Sequence, residues 1–597
     1  MSARAHAQIR RSQAITTWGP GALIDLPRHS GIVGGLETWP NVDLLDEIAD
    51  PRLARKVSLL TSVPGSRLYA PPAASTTPGE SALGVGVWRF PEWMLVQEDS
   101  ASDGNERSRR LVHRKSLDEK GKFDGRQVVP TRFVRACPRG HVSDLNWHWF
   151  VHGSGDACKQ QLWLDERGTG GDLADLVVRC QCGKSRRMAE AAELELKPLG
   201  LCWGARPWLG AGSQEQCSLT SRLLIRTAAN AYFPQVMSAL SLPEQGTQLE
   251  EAVRSLWDDL QIVENSAELA FIRKKPKVAI KLAGHSDEEV LGAIARLKHG
   301  SSDEQPVKLV ELDALLAAPT GYGEDVPIDP DFHARGLPES AWHCGSLTDP
   351  VAAIVQLHRL REVLALIGFT RFDAITPDIH GEYDSDVQRA ELALDPQWFP
   401  AVENRGEGIF IQLDSRAVAA WLARRTVAER LDKLAGGHTE FTRRRNVQRP
   451  FPGGPYVLLH TLSHLLVQSI AMRCGYPASS IRERVYVDYE NGRFGLLLYT
   501  ASSDAEGTLG GLVTQARHIG FHLAVALRAG GLCSNDPVCA QHSPGEGMGG
   551  RWLHGAACHG CALIAETSCE MRNDYLDRAL VVPTLSVRDA AFFPPIP

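Results

Sequence analysis

The amino-acid sequence predicts a mixed α/β protein built from several domains, and three observations lead to this class. The chain has 597 residues, whereas single hydrophobic cores seldom grow beyond about 250 to 300 residues. Segments with helical apolar spacing occur beside short apolar runs that turn residues separate. The 13 cysteines crowd into two regions instead of spreading evenly, which indicates local metal-binding modules.

Changes in composition divide the chain into four predicted segments. Residues 1–135 form an N-terminal segment with a loop and a basic stretch, and 136–220 form a Cys/His-rich insert that is zinc-ribbon-like. Residues 221–340 are predicted as a helical scaffold, and 341–597 as an α/β C-terminal domain. The stretch 62–80 is rich in Pro, Ser, Thr and Gly and is predicted as a loop.

Local patterns predict individual elements along the chain. "GALIDL" and "GVGVWRF" predict short strands. "TQLEEAVRSLWDDLQIV" and "DEEVLGAIARLKH" have the apolar spacing of helices. A further helix is predicted for "VAAIVQLHRLREVLALIGF" at 351–369, where Ile354, Leu357, Val363 and Leu364 recur at helical spacing. "GEGIFIQL", "RVYVDYE" and "GRFGLLLYT" then predict strands among helices.

Charge and hydropathy argue against several classes of protein. No run approaches the roughly 20 apolar residues that span a bilayer, and the polar start "MSARAHAQIRRSQ" lacks the apolar core of a secretion signal. We therefore expect a cytoplasmic protein without membrane contact, in which thiols stay reduced and serve as metal ligands. The net charge of −7 argues against a general coat for nucleic acid.

Two basic stretches, 103–135 and 422–449, depart from this acidic average. Each is compatible with a solvated face or loop. Each is also a candidate for phosphate contact, because binding a polyanion requires clustered cations. The candidate DNA-contacting residues are Arg109, Arg110, Arg114, Lys115, Arg443, Arg444, Arg445 and Arg449.

The C-terminal cysteines predict a structural zinc site. Cys558 and Cys561 form a C-x-x-C pair, whose spacing lets two thiolates from one turn reach a tetrahedral Zn²⁺. Cys569 follows eight residues later, and either Cys533 or Cys539 could return across a glycine-rich loop as a further ligand. A redox pair is less favoured, because further cysteines bracket the motif instead of the strand and helix of a thioredoxin-like unit.

A looser group of cysteines and histidines lies in the predicted insert. Cys137 and His141 form C-x-x-x-H, and Cys180 and Cys182 form a second pair about forty residues later. Together these four residues outline a zinc ribbon with one histidine ligand. The alternative and spare candidates are Cys202, Cys217, His152 and Cys158.

Motifs for catalysis are incomplete in this sequence. It contains no G-x-x-x-x-G-K-[ST] phosphate-binding loop, so we do not expect the chain itself to be a motor ATPase. His460 and His464 would share one helix face, but Thr461 stands where a zinc protease has its glutamate. The favoured interpretation is a hydrogen-bonded histidine pair in a core helix. The alternative is a metal-dependent hydrolase or nuclease that uses both histidines with Asp504 and Glu506, although those carboxylates also suit a turn.

The order of the motifs resembles a known family. "HTLSHLLVQSIAMRCGYPASSIRERVY", "LLYTASSDAEGTLGGLV", "CSNDPVC" and "GAACHGCALIAETSCEMRNDYLDRAL" are similar to the MrfA-like zinc-binding domain at the C-terminal end of certain helicases. These runs follow "RRSQAITTWGPGALIDL", "ACPRGHVSDLNWHWFVH", "RPWLG" and "AVENRGEGIFIQL" instead of helicase motor motifs. Over nearly its full length, the chain therefore resembles the DrmB family of DISARM anti-phage systems.

The resemblance implies both a role and a ligand set. It implies a non-catalytic partner of DrmA, a helicase-family ATPase, in a complex that recognises foreign DNA while a methyltransferase of the same system marks host DNA. It also implies four cysteine ligands for zinc. Cys558, Cys561 and Cys569 match the family pattern, and Cys539 in "DPVC" is slightly preferred as the fourth ligand. Cys533 could bind instead, or both Cys533 and Cys539 could bind if Cys569 caps another group.

Overall fold

The fold is that of a computed structural model, which describes most of the chain in two units. The described residues are 8–26, 29–73, 84–97, 106–153, 158–167, 171–243, 249, 252–253, 255–298, 305–321, 330–445, 448–500, 511–545 and 551–595. The first unit comprises 1–237, 364–375 and 384–402, and the second comprises 238–363, 376–383 and 403–597. The predicted mixed α/β class with several domains is confirmed, although the two units do not coincide with the four predicted segments.

The first unit consists of small antiparallel sheets with short helices. Its helices are α1 (Arg11–Thr16), α2 (Pro51–Thr61) and α3 (Trp147–His152). Its strands are β1 (Leu23–Leu26), β2 (His29–Val33), β3 (Arg67–Tyr69), β4 (Val87–Arg89), β5 (Trp93–Val96), β6 (Glu106–His113), β7 (Val128–Pro130), β8 (Phe133–Ala136), β9 (Val142–Ser143), β10 (Leu162–Arg167), β11 (Leu176–Cys180), β12 (Ser185–Arg187) and β13 (Arg222–Ile225). The sheet orders are β1-β2-β4, β12-β11-β10-β6-β5-β7 and β13-β8-β9. The predicted strands "GALIDL" and "GVGVWRF" correspond to β1 and β4.

The largest sheet of the first unit packs against α3. Leu162 and Leu164 of β10 are two residues apart, so they lie on the same face of the sheet, and both are buried in one core with Trp147 and Phe150 of α3. Asn146 caps this helix by accepting a hydrogen bond from the Trp149 N–H at 3.1 Å. The packed core therefore fixes the helix end and strand ends that carry cysteines and histidines.

The second unit contains most of the helices and the longest strands. Its elements are α4 (Trp257–Leu260), α5 (Ser266–Ile272), α6 (Pro276–Lys281), α7 (Asp287–Lys298), α8 (Val307–Leu316), β15 (Phe332–Gly336), α9 (Ser415–Leu422), α10 (Arg425–Arg445), α11 (Gly454–Cys474), β18 (Ile481–Asp488), β19 (Arg493–Thr500), α12 (Ile519–Gly530), α13 (Val538–Gln541) and α14 (Arg578–Val581). Strands β14 (Phe233–Leu240), β16 (Val351–Thr370) and β17 (Trp398–Leu413) have residues in both units. In the second unit the strand order is β16-β17-β19-β18, and β15 pairs with β16.

The predicted helix at 351–369 is wrong, because this segment is strand β16, which is 20 residues long. Residues 360–370 are all buried, so the run lacks the alternation that identifies a strand with one solvated face. The helical spacing of its apolar residues was therefore coincidental. The predicted helical scaffold at 221–340 is also only partly helical, because β13, β14 and β15 lie within it.

Helix α11 is the buried centre of the second unit. Of its 21 residues, 17 are buried, because it packs against β18, β19, α12 and α14. A helix that is enclosed on all sides does not need a polar face, but each polar side chain on it must find a partner inside the protein. None of the described helices is long and apolar enough to cross a membrane.

A buried histidine on α12 makes the stability of the second unit dependent on pH. The ring of His522 lies 3.0 Å from Ser469 Oγ and 3.2 Å from Gln515 Oε1. Burial lowers its pKa from 6.5 to about 4, with help from the charge of Arg473. As the pH falls, His522 therefore takes up a proton in the unfolded chain before it does so in the folded protein. This difference lowers the free energy of unfolding by about 2 kcal/mol between pH 7 and pH 5.

We expect His522→Gln to make the loss of stability between pH 7 and pH 5 smaller than in the unaltered protein. Urea unfolding at several pH values measures this slope for both proteins. The matched control is His518→Gln, because His518 is exposed on the preceding turn. An equal slope in the His522→Gln protein and the unaltered protein would contradict the assignment.

Candidate metal centres and basic surface

Four groups of cysteine, histidine and glutamate side chains converge in the described part of the chain. In each group the four potential ligand atoms lie within 4.8 Å of one another. We name them the first Cys₃His cluster (Cys137, His141, Cys202, Cys217), the second Cys₃His cluster (His152, Cys158, Cys180, Cys182), the tetracysteine cluster (Cys533, Cys539, Cys558, Cys561) and the buried cluster (His460, His464, Glu483, Cys569). The first two belong to the first unit, and the other two belong to the second.

The tetracysteine cluster is assembled from two short segments. Cys539 lies on α13 and Cys533 precedes it, whereas Cys558 and Cys561 lie on one turn closed by a hydrogen bond from the Cys561 N–H to the Cys558 carbonyl at 3.0 Å. The sulfur atoms of Cys558 and Cys561 are 3.7 Å apart, and those of Cys539 and Cys561 are 3.8 Å apart. Thiolates at about 2.3 Å from one tetrahedral Zn²⁺ would be about 3.8 Å apart. The cluster therefore has the dimensions of a zinc site.

The environment of Cys558 favours the thiolate that a metal requires. Burial raises the pKa of its thiol, but hydrogen bonds from Asn535, Cys533 and the Gly560 N–H outweigh burial and lower the pKa to about 7. The Asn535 amide lies 3.3 Å from Cys558 Sγ. None of the thirteen cysteines, all of which lie within the described residues, forms a disulfide, and the sulfur separations quoted above far exceed the roughly 2.05 Å of a disulfide bond. The chemistry of this donor set therefore fits zinc and not a disulfide.

The first Cys₃His cluster lies beside the hairpin of β8 and β9. Gly140 forms the turn between Cys137 and His141 with φ +91°, which glycine adopts without strain. His141 Nδ1 is 3.4 Å from Cys137 Sγ and 3.5 Å from Cys202 Sγ. Its Nε2 lies 2.7 Å from Glu215 Oε1, the kind of outer partner that orients a histidine ligand.

The thiols of this cluster differ in acidity. A hydrogen bond from the Cys137 thiol is the largest influence on Cys202 and lowers its pKa to about 4, although burial acts in the opposite direction. The same hydrogen bond and burial raise the pKa of Cys137. The cluster therefore already stabilises one thiolate, which is the form that binds metal.

The second Cys₃His cluster joins the end of α3 to the end of β11. His152 donates its Nδ1 proton to the His148 carbonyl at 2.8 Å, which leaves Nε2 at 3.2 Å from Cys182 Sγ. Cys158 and Cys180 have their sulfur atoms 3.7 Å apart. The Lys184 backbone N–H and then His152 lower the pKa of the Cys182 thiol to about 7. This set therefore also offers four convergent ligand atoms.

The structure groups these residues differently from the sequence predictions. Cys137 and His141 lie with Cys202 and Cys217, whereas Cys180 and Cys182 lie with the spare candidates His152 and Cys158. The predicted single ribbon therefore corresponds to two separate clusters. At the C-terminus, both Cys533 and Cys539 lie with Cys558 and Cys561, and Cys569 lies in the buried cluster instead.

Sequence reasoning did not identify Glu483 as a candidate ligand. It lies on β18, where Ile481, Glu483, Val485 and Val487 are two residues apart and share one face of the strand. The signal that the sequence offered was one acidic residue among apolar residues on the face of the strand that packs against the core. Such a carboxylate needs a partner inside the protein.

The two histidines of the alternative hydrolase interpretation are enclosed in the protein interior. His460 and His464 lie on α11 and have no exposed surface in the described structure. Asp504 and Glu506 lie outside the described residues. The helix expected around "HTLSH" is present as α11, and both imidazoles are buried in the core that surrounds this helix.

The N-terminal basic candidates lie next to carboxylates. Arg109 on β6 forms an ion pair with Glu166 on the neighbouring strand β10. Arg110 pairs with Asp124 at 3.4 Å, and Arg114 pairs with Glu92 at 2.5 Å. Lys115 is exposed. These ion pairs reduce the net positive charge of the stretch.

The C-terminal basic candidates differ in exposure. Arg443 and Arg444, at the end of α10, have side chains that are 69% and 56% exposed, and Arg445 beside them is also exposed. Arg449 instead donates hydrogen bonds to Thr376 Oγ1 at 2.7 Å and to the Pro377 carbonyl at 2.8 Å. Arg449 is therefore held within the second unit, whereas the three preceding arginines face solvent.

The sequence matches two known families and one curated relative. Residues 462–562 match the MrfA Zn-binding domain, and this range contains all four cysteines of the tetracysteine cluster but ends before Cys569. Residues 10–233 match a domain of unknown function, DUF8724. This range of the chain contains both Cys₃His clusters. The chain is 30% identical over 481 residues to the DISARM protein DrmB of Bacillus paralicheniformis (strain ATCC 9945a / NCIMB 11709 / CD-2), and the match covers 78% of this chain and 83% of that protein.

The matched domain and the cysteine-rich clusters agree on the cofactor, which is zinc. The similarity to the DISARM protein covers more than two thirds of both chains. The chain therefore belongs to the DrmB family of DISARM anti-phage proteins.

Proposed function

We propose that this chain is a non-catalytic, zinc-stabilised partner of a helicase-family ATPase of the DrmA type, and that the complex binds and recognises foreign DNA in the cytoplasm. In this proposal the partner supplies ATP hydrolysis, and a methyltransferase of the same system marks host DNA. The zinc sites shape the protein and carry out no reaction. Each of the three cysteine-rich clusters offers four protein ligands, and a four-coordinate zinc with four protein ligands has no open position for substrate.

The observation that carries the proposal is the link between the tetracysteine cluster and exposed arginines. Trp552 lies in the segment between Cys539 and Cys558, and the Arg444 guanidinium stacks on its ring at 4.4 Å from the centroid. Helix α10 approaches this segment closely, because a Cβ at Gly437 would lie 2.3 Å from the Trp552 carbonyl oxygen. Zinc bound by the tetracysteine cluster would therefore also fix the position of the Trp552 ring on which Arg444 stacks.

The charge at the end of α10 favours an anionic partner. Glu440 pairs with Arg443 at 2.7 Å and with Arg444 at 2.6 Å, and these hydrogen bonds lower its pKa to about 2. One carboxylate therefore pairs with two arginines, which leaves an excess of positive charge at this helix end. The excess charge suits phosphate oxygens, which arginine binds through two parallel N–H groups.

The combined Arg443→Ala, Arg444→Ala and Arg445→Ala protein tests the contact. We expect its complex with the ATPase to bind duplex DNA more weakly, and the slope of log affinity against log salt to become shallower by up to about 3. Fluorescence anisotropy at several salt concentrations measures both quantities. Far-ultraviolet circular dichroism verifies that α10 still forms.

The matched control replaces three exposed cations elsewhere in the second unit. Lys274, Lys277 and Arg416 are exposed and lie outside the basic stretch 422–449, and their alanine variant removes the same charge. The proposal requires the control complex to keep most of its affinity and salt slope. Equal losses in both triple variants would indicate a general charge effect, and unchanged binding of the arginine variant would remove the proposed DNA contact.

A further inference from the structure

The buried cluster brings four different side chains to one point inside the second unit. His460 Nε2 lies 2.9 Å from Glu483 Oε1 and 3.1 Å from Cys569 Sγ, and His464 Nε2 lies 3.2 Å from the same carboxylate oxygen. All four residues are buried. The histidines come from α11, the glutamate comes from β18, and the cysteine comes from the C-terminal region. This set is distinct from the tetracysteine cluster.

Hydrogen bonding on the far side of His464 fixes which nitrogen faces the cluster. Its Nδ1 lies 2.7 Å from the Ala562 carbonyl oxygen, which can only accept, so Nδ1 carries a proton. A neutral His464 therefore points the lone pair of Nε2 at the Glu483 carboxylate. Two acceptors in contact repel each other unless a proton or a cation lies between them.

The geometry and charge of the buried cluster suit a divalent cation. One Glu483 oxygen faces the Nε2 atoms of both histidines, and His460 Nε2 also faces Cys569 Sγ. One cation at this point could therefore reach all four ligand atoms. A divalent cation with two neutral imidazoles, one carboxylate and one thiolate has no net charge.

The surrounding groups resemble the outer partners of metal ligands. The Asn573 backbone N–H donates to Cys569 Sγ at 3.1 Å, which stabilises a thiolate. Ser463 donates to the second oxygen of Glu483 in a short hydrogen bond. Metal-binding histidines typically donate their other N–H to a carbonyl, as His464 does, and ligating carboxylates are themselves hydrogen-bonded.

We propose that His460, His464, Glu483 and Cys569 form a second metal site in the second unit, which holds one divalent ion, with zinc the best match to this mixture of ligands. Four protein ligands complete a tetrahedral coordination, so the role is structural. The ion would join α11 and β18 to the segment that follows the tetracysteine cluster. The proposal does not depend on DNA binding or on a partner protein.

Metal analysis of the purified full-length chain tests the site. Cys569→Ser and His464→Gln are each expected to lose one zinc equivalent per chain relative to the unaltered protein, as measured by inductively coupled plasma mass spectrometry. Cys558→Ser combined with Cys561→Ser should lose one equivalent from the tetracysteine cluster. Combining that variant with Cys569→Ser should lose two equivalents.

Matched controls separate loss of a ligand from loss of a buried side chain. Cys474→Ser removes a half-buried thiol at the end of α11, and His522→Gln removes a buried imidazole on α12. Both residues lie outside the four clusters. We expect both control proteins to retain the full zinc content.

A second measurement decides the question if a variant fails to fold. Crystals of the unaltered chain, recorded on both sides of the zinc absorption edge, should show an anomalous peak between the four side chains in addition to one at the tetracysteine cluster. No peak at the buried cluster would overturn the proposal, as would full zinc content in folded Cys569→Ser and His464→Gln proteins. A missing peak at the tetracysteine cluster alone would count against that site and not against this one.

Discussion

Replacing Cys558 and Cys561 together by serine is expected to release one zinc ion and to unfold the region that the tetracysteine cluster holds. Apparent zinc-binding free energies of small structural modules are about 10–16 kcal/mol near neutral pH, and much of this energy supports folding. The separate core around α11 should remain folded, because its apolar contacts do not require the four cysteines. We therefore expect local unfolding and not complete loss of the second unit.

Hydrogen exchange mass spectrometry locates this effect, and metal analysis counts the zinc. Protection should fall across residues 531–545 and 551–562 and over the end of α10, where the Trp552 ring supports Arg444. Cys474→Ser is the control, because its thiol lies outside the four clusters. Retained protection of residues 531–545 and 551–562 in the double serine variant would show that this region folds without zinc.

Replacing Asp577 by alanine is expected to destabilise the second unit by about 3 to 5 kcal/mol, the usual effect of leaving one partner of a buried ion pair alone. The Asp577 carboxylate is fully buried and lies 2.6 Å from Arg430 Nε. It also accepts hydrogen bonds from the N–H groups of Ala556 at 3.0 Å and Ala579 at 3.1 Å. Alanine leaves the Arg430 charge and two backbone donors without this partner.

Urea unfolding of the Asp577→Ala protein measures the loss. Asp577→Asn should be less damaging, because its amide oxygen still accepts a hydrogen bond. Asp432→Ala is the control, since Asp432 is exposed on α10, and we expect it to change stability by less than about 0.5 kcal/mol. A similar small change for Asp577→Ala would contradict the assigned role of this ion pair.

Local sequence patterns predicted the parts of the fold that depend on neighbouring residues. The C-x-x-C turn, the strands β18 and β19 and the enclosed helix α11 all follow from spacing within a few residues. The family resemblance supplied the MrfA-type domain, which the comparison confirmed. Within that domain, Asp577 forms an ion pair with Arg430 and caps α14.

The partners of each metal cluster could not be predicted from spacing. Cys569 follows Cys561 by only eight residues, but the chain between them turns away, and Asn573 secures that turn through two hydrogen bonds to Ile564. In the first unit, Cys202 reaches Cys137 across a long segment that contains another cluster. Strand β16 was mistaken for a helix because residues 360–370 are all buried, so its sequence lacks the alternation of a strand with one solvated face.

The different sequence spans of the two C-terminal clusters imply an order of events as the newly made chain matures. Cys533 and Cys558 are 25 residues apart, whereas His460 and Cys569 are 109 residues apart. Closing the longer loop costs about 1 kcal/mol more in chain entropy, and it also requires α11 to be enclosed first. We therefore expect the tetracysteine cluster to capture zinc early, while the ligands around His460 meet only when the second unit is complete.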